Sequence, residues 1–202
     1  MKDENTICST AVVYDKKNPF LSTLKRRVLL NKEGSDKETL HLELCLAGSG
    51  LEYRPGDSLA IIPANSRQVV KQVLETGGFD AGEMVELKGG ETKPLGEVFA
   101  TDLNITGITK NILKKYNAFA QSEKIETLLN PENKAALDDY LRGREVIDML
   151  TDFPVPGLAA SDFCGTLRKL LPRLYSIASS PKAHSGEVHL TVAVLRYHSH
   201  GR

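Results

Sequence analysis

Arg173, Leu174, Tyr175 and Ser176 place three kinds of chemistry within four residues. The guanidinium can grip a phosphate, the phenol ring can cover a flat heterocycle, and the hydroxyl can reach a ring nitrogen. Together they fit a flavin-nucleotide site. The same four residues equally fit an ordinary strand with a surface arginine and a half-buried tyrosine. The run continues through Ile177-Ala178-Ser179-Ser180-Pro181, and a second strand pattern follows at 187–197. There Val188, Leu190, Val192 and Val194 share one face, while His189, Thr191, Ala193 and Tyr197 share the other. The second face is small in its middle and aromatic at its end, so a ligand could approach the backbone and then meet a ring. An edge strand with a mixed outer face fits the pattern too.

These strands need partners, and the first third of the chain supplies them. Residues 20–62 read as strands: Leu40, Leu42, Leu44 and Leu46 alternate with His41, Glu43 and Cys45, the signature of a half-buried strand. Turns are expected at 47–50 and at Arg54-Pro55-Gly56-Asp57. After Pro63 the period changes. Asn65 is placed to cap a helix bearing a Val69, Val70, Val73 and Leu74 stripe, with Gln68 at the capping-box position and Gly77-Gly78 at its end. A short strand pair is expected near 84–87 and 91–95. Asn130-Pro131 opens another helix, and Ser161 caps a segment reaching Leu171. The order predicts an α+β chain: an antiparallel β-barrel, residues 19–64 and 172–202, interrupted by a mostly helical connecting domain at 65–171, with 1–18 as an N-terminal extension.

The run 173–180 resembles the flavin-binding signature of the ferredoxin-NADP reductase-like diflavin reductases. Tyr53-Arg54-Pro55-Gly56-Asp57-Ser58-Leu59-Ala60-Ile61-Ile62-Pro63-Ala64-Asn65 resembles the segment with which that family closes its barrel and enters a helical insertion. With Asn18-Pro19-Phe20 and Gly143-Arg144-Glu145-Val146-Ile147-Asp148, the resemblance covers nearly the whole chain. Within the family it is nearer to NADPH-dependent sulfite reductase flavoproteins than to cytochrome P450 reductases.

The resemblance implies a barrel of the ferredoxin-reductase FAD-domain type and FAD as cofactor, held by Arg173, Leu174, Tyr175 and Ser176. Arg173 would contact the pyrophosphate, Tyr175 would pack on the isoalloxazine, and Ser176 would sit near N5 as the catalytic residue. Thr191, Val192 and Ala193 would touch the cofactor through backbone, Tyr197 would lie against its adenine or ribose side, and Thr106 would contribute a hydroxyl. Arg142, Gly143 and Arg144 lie near a further family contact, although a solvated helix end fits Thr106 and these three as well. The implied function is electron transfer from NADPH through FAD to an acceptor in sulfite reduction. Partners would be an FMN domain or a haem/iron–sulfur subunit. Transfer of the P450 reductase type and a non-catalytic interaction module remain alternatives.

Family members continue beyond the last strand into a pyrophosphate-holding motif and an NADPH domain. This sequence stops at Arg202, and Gly48-Ser49-Gly50 and Gly89-Gly90 are not placed between a strand and a helix as a phosphate loop requires. The expectation is a C-terminally truncated piece of a larger reductase, binding FAD weakly and inactive with NADPH alone.

Composition sets outer limits. The 202 residues are 41% hydrophobic, enough for a sizeable core. Lys plus Arg and Asp plus Glu are each 26, and this balance argues against nucleic-acid or anionic-membrane partners. Cys8, Cys45 and Cys164 have no metal-ligand or redox spacing, which fits a reducing cytoplasm. The first residues lack the apolar core of a secretion signal, and no apolar run reaches membrane-spanning length. His198-Ser199-His200 reads as a solvated tail, so no metal site is expected. Ser176, Ser179 and Ser180 are not in a hydrolase elbow.

Overall fold

The structure is a computed structural model that describes residues 12–15, 18–196 and 198–200. It divides into two compact units: the chain up to Ile62 with Pro172–Arg196, and a second built on Pro63–Leu171.

In the first unit, strands β1 (Leu24–Leu29), β2 (Glu38–Cys45) and β3 (Ser58–Ile61) come from the N-terminal stretch. The second unit is mainly helical. It contains α1 (Arg67–Gly77), the hairpin β4 (Met84–Glu86) and β5 (Thr92–Pro94), the single turn α2 (Leu95–Glu97), and β6 (Leu103–Asn104). Five helices follow: α3 (Lys110–Ala120), α4 (Glu123–Leu129), α5 (Lys134–Leu141), α6 (Val146–Asp152) and α7 (Ala160–Thr166). The two-residue strand β7 (Arg168–Lys169) pairs with β6. The chain then returns to the first unit as β8 (Arg173–Ser176) and β9 (Glu187–Val194).

All strand pairings are antiparallel. β2 is the centre of a three-stranded sheet, β1-β2-β9, and β3 pairs with β8. The two N-terminal and C-terminal β stretches therefore interleave, Leu40 facing Val192 and Leu59 facing Tyr175. A single bridge, Ile177 to Leu190, links the β3-β8 ladder to β9. Among the described residues the ladders do not close into a barrel. The architecture is thus mixed α and β with antiparallel sheets.

Helix boundaries follow local chemistry. The α1 cap is Ser66, whose hydroxyl accepts from Val69 N, and not Asn65. The Asn65 amide instead donates to Phe99 O (2.6 Å) and Leu103 O (2.7 Å), tying the start of α1 to the turn before β6. Gly78 ends α1 with φ +68°, a left-handed conformation that costs glycine nothing. Asn130 caps the short turn Pro131–Asn133 ahead of α5 through Glu132 N. Ser161 does not cap α7, which starts one residue earlier with Ala159 at the cap and stops at Thr166. The stretch beyond is extended because Arg168 and Lys169 are claimed by β6, a competition invisible to helical periodicity.

The helical unit packs around Phe163, fully buried between Phe79 (centroids 5.0 Å), Phe99 (6.0 Å) and Tyr116 (6.3 Å). Tyr116 donates its hydroxyl to Phe153 O at 2.6 Å, and burial raises its pKa to about 12. No helix among the described residues is long and apolar enough to cross a membrane.

Candidate functional site

The signature strand is held from below by a turn and from the side by a tether. In Arg54-Pro55-Gly56-Asp57, Asp57 N donates to Arg54 O (3.0 Å), and the Asp57 carboxylate accepts from Arg54 N (2.8 Å). Gly56 takes φ +99°, which a side chain would resist. The carbonyl of Asp57 then accepts from Ile177 N at 3.0 Å, immediately after Ser176. On the other flank, Ser179 Oγ lies 2.6 Å from Tyr53 Oη and accepts from His189 N at 3.0 Å, while Tyr53 Oη donates to Glu187 O at 3.1 Å. Ala178 N donates to His189 O at 2.8 Å. Tyr53, Asp57 and Ser179 therefore fix the path from β8 to β9. Sequence reading treated them as parts of a pattern and gave them no role. The Arg54-Pro55-Gly56-Asp57 turn pattern was the available signal for Asp57, but nothing in spacing pointed to the Tyr53–Ser179 pairing.

Alternation along β8 sorts the signature residues. Cross-strand neighbours share a face, so Arg173 and Tyr175 lie with Ile61 and Leu59, whereas Leu174 and Ser176 lie with Ala60 and Ser58. Tyr175 is half-buried, Arg173 and Ser176 are exposed, and Leu174 is 73% exposed. Ser176 is the last residue of β8, so its hydroxyl reaches the Tyr175 side only around the end of the strand. Among the described residues, Arg173, the Tyr175 hydroxyl and the Ser176 hydroxyl make no hydrogen bond or ion pair within the protein, which leaves them available to a ligand.

Thr191 and Ala193 are exposed and Val192 half-buried. They pair with β2 along one edge, and past Leu190 no described strand pairs with the other edge. Backbone groups of residues 191–193 thus border the same ladder end as β8. His189, read from sequence as an outward residue like Thr191, is buried at 6% exposure. Tyr197 lies outside the described residues.

Thr106 belongs to the helical unit, half-buried after β6, where its N–H donates to the Asn104 side chain at 3.2 Å. In the same unit Arg144 is committed internally. It stacks on Tyr140 at 4.4 Å, donates to Tyr140 O at 3.0 Å and pairs with Asp152 at 3.5 Å. Arg142 is exposed, Gly143 has φ +67°, and the His200 ring lies 3.3 Å from Arg142 O. Burial pushes the Cys164 thiol up to about 11, which removes it as a nucleophile near neutrality.

Comparison with known proteins identifies one sequence family over most of this length. The FAD binding domain family profile matches residues 13–202. The sulfite reductase (NADPH) flavoprotein alpha-component of Bacillus subtilis (strain 168) is 40% identical over 190 residues, which is 94% of this chain and 31% of that protein. The protein of the same name from Serratia proteamaculans (strain 568) is 38% identical over 94% of this chain and 31% of its own length. That of Mannheimia succiniciproducens is 35% identical over 96% and 32%. The chain spans about a third of the length of the curated relatives it matches.

Proposed function

We propose the following role for this chain, which belongs to the FAD binding domain family: it is the flavin-holding part of an NADPH-dependent reductase that passes electrons through FAD to an acceptor in sulfite reduction. The observation that carries the reading is the composition of one strand face. An unpaired arginine and a half-buried tyrosine project together from β8, beside the open edge of β9. That combination suits a ligand with an anionic chain and a flat ring. Likeness to sulfite reductase flavoproteins along 94% of the chain supports the acceptor class.

FAD, when bound, supplies hydride acceptance at its flavin N5 and onward delivery of electrons. The protein's share is binding and orientation. Arg173 grips the pyrophosphate through charge-assisted hydrogen bonds, which are shorter and about twice as strong as neutral ones. Tyr175 would cover one face of the isoalloxazine and exclude water from it. Ser176, at the strand end, offers its hydroxyl as hydrogen-bond donor at N5. Leu174 points to the opposite side of β8 and would reach the cofactor through its backbone, and the backbone of Thr191, Val192 and Ala193 would border the cofactor along the edge of β9. In this reading β1-β2-β9 and β3-β8 are two parts of a ferredoxin-reductase-type barrel, and the helical unit is the connecting domain. The partners this reading implies are an FMN domain or a haem or iron–sulfur subunit, with NADPH as donor, in the cytoplasm.

Titration of FAD into the protein, followed by flavin fluorescence, tests the site. Arg173→Ala and Tyr175→Ala should each weaken binding by on the order of tenfold, about 1–2 kcal/mol, with unchanged circular dichroism. Equal affinity in wild type and both variants would remove β8 from the cofactor site.

A further inference from the structure

The buried histidine of the β unit stands in a group of metal-competent side chains to which the flavin reading gives no role. Among the described residues the buried polar side chains are Ser49, Thr166 and His189. Ser49 and Thr166 serve their own turns, donating to Leu46 O and Phe163 O. The His189 ring faces side chains instead: Glu187 Oε2 at 3.2 Å, the His41 ring edge-on at 5.0 Å, and the His184 ring at 4.2 Å. Register explains the gathering. Glu43 sits directly opposite His189, His41 opposite Thr191 and Cys45 opposite Glu187, so His41-x-Glu43 on β2 and Glu187-x-His189 on β9 project from one face of the ladder.

We propose that His41, Glu43 and His189 form a binding site for one divalent transition-metal ion of the zinc class. Two imidazoles and a carboxylate are the donor set such ions prefer over magnesium or calcium. The three ligand atoms already lie within 4.8 Å of one another. A tetrahedral zinc site places its donors roughly 3.4 Å apart, so the three side chains need to draw together by little more than about 1 Å. The ladder holds both backbones, and Ser179 Oγ fixes His189 N at 3.0 Å.

The two carboxylates divide the work. Glu187 is engaged by Lys25 and contacts His189, the arrangement by which an outer carboxylate sets the tilt of a ligating imidazole. Glu43 has only longer contacts, to Arg26 at 3.4 Å and His41 at 3.5 Å, and is the carboxylate free to turn toward an ion. A second grouping, His184, Glu187 and His189, shares the central ring but relies on an exposed turn histidine. Strand-borne ligands are the better organised of the two.

Cobalt(II) chloride titrated into the whole 202-residue chain, with His198 and His200 changed to Ala to silence the tail, reads the site by its visible absorption. The expected result is saturable one-to-one binding, displaced by zinc, with four-coordinate bands and no thiolate charge-transfer band. His41→Ala and Glu43→Gln should each weaken it at least about tenfold, and His189→Ala should abolish it, each variant retaining the parent far-ultraviolet circular dichroism. His184→Ala should change it less than about threefold. Absence of saturable binding in the parent overturns the proposal, as does loss with His184→Ala but not with His41→Ala. Should His189→Ala fail to fold, the partly exposed His41 and Glu43 variants decide alone.

Discussion

The two units differ in how they use apolar residues. The buried apolar cluster runs from Val70 to Leu167 and lies wholly in the helical unit, with aromatic rings at its centre. Among the described residues of the β unit the buried apolar ones are Leu40, Leu46, Val188 and Leu190, while Leu21, Leu174 and Leu195 are 89%, 73% and 82% exposed. The helical unit is held by its own core. The β unit is held by ladders, a hydroxyl tether and ion pairs across its strands. The unit that carries the signature strand therefore has few buried apolar residues to lose and, in β8, polar side chains without protein partners.

The sharpest way to break this contrast is Phe163→Ala. Removing the ring from a fully buried aromatic cluster should cost about 3–5 kcal/mol, read as a lowered urea midpoint. Leu40→Ala in the thinner β core should cost about 2 kcal/mol, because half-open neighbours can relax into the gap. If the two costs were reversed, the contrast would fail. Ser179→Ala should come next, at about 1–2 kcal/mol, since it strips partners from both Tyr53 Oη and His189 N. Hydrogen exchange should then speed up in β8 and β9 and stay unchanged in α3 and α7.

The smallest effect concerns Glu38. Hydrogen bonds from Arg196 at 2.7 and 3.1 Å hold its carboxyl below the ordinary range. A folded pKa below the unfolded one adds stability above the unfolded value, near pH 4.5, and that contribution is lost as pH falls through the folded value. Glu38→Gln should therefore lower the Tm slightly at pH 7 and by progressively less as the pH falls below about 4.5, and 1 M salt should shrink the difference.

Much of this was readable in advance where one period dominates. The Leu40–Leu46 alternation gives β2, the Val188–Val194 alternation gives β9, and the valine stripe gives α1. Long-range claims on local residues were not readable. Asn65 and Ser66 are both good caps, and the choice fell to Ser66 because two distant carbonyls take the Asn65 amide. Residues 168–169 left the helical pattern because a strand 65 positions earlier recruits them, Leu103 pairing with Lys169 and Asn104 with Arg168. Of the candidate site, the residue types in 173–176 and the alternation that sends Tyr175 and Ser176 to opposite faces were legible, while the β3 neighbours of each, Leu59 and Ser58, needed the register. The histidine group was hidden for the same reason: His41 and His189 are neighbours only through the β2–β9 ladder, and no spacing rule spans that distance.

The interleaving of β2 with β9 also sets an order of events during synthesis. Glu38 and Arg196, which close the end of that ladder, are 158 residues apart, so β2 leaves the ribosome long before its partner exists. Closing so long a loop costs entropy that grows only slowly with length, but it delays the pairing. The helical unit, whose core contacts all fall between the two β stretches, can finish folding while the edge of β2 is still bare. A nascent chain thus carries an exposed, apolar-backed strand edge until β9 emerges, and that interval is when it is open to mispairing with other chains.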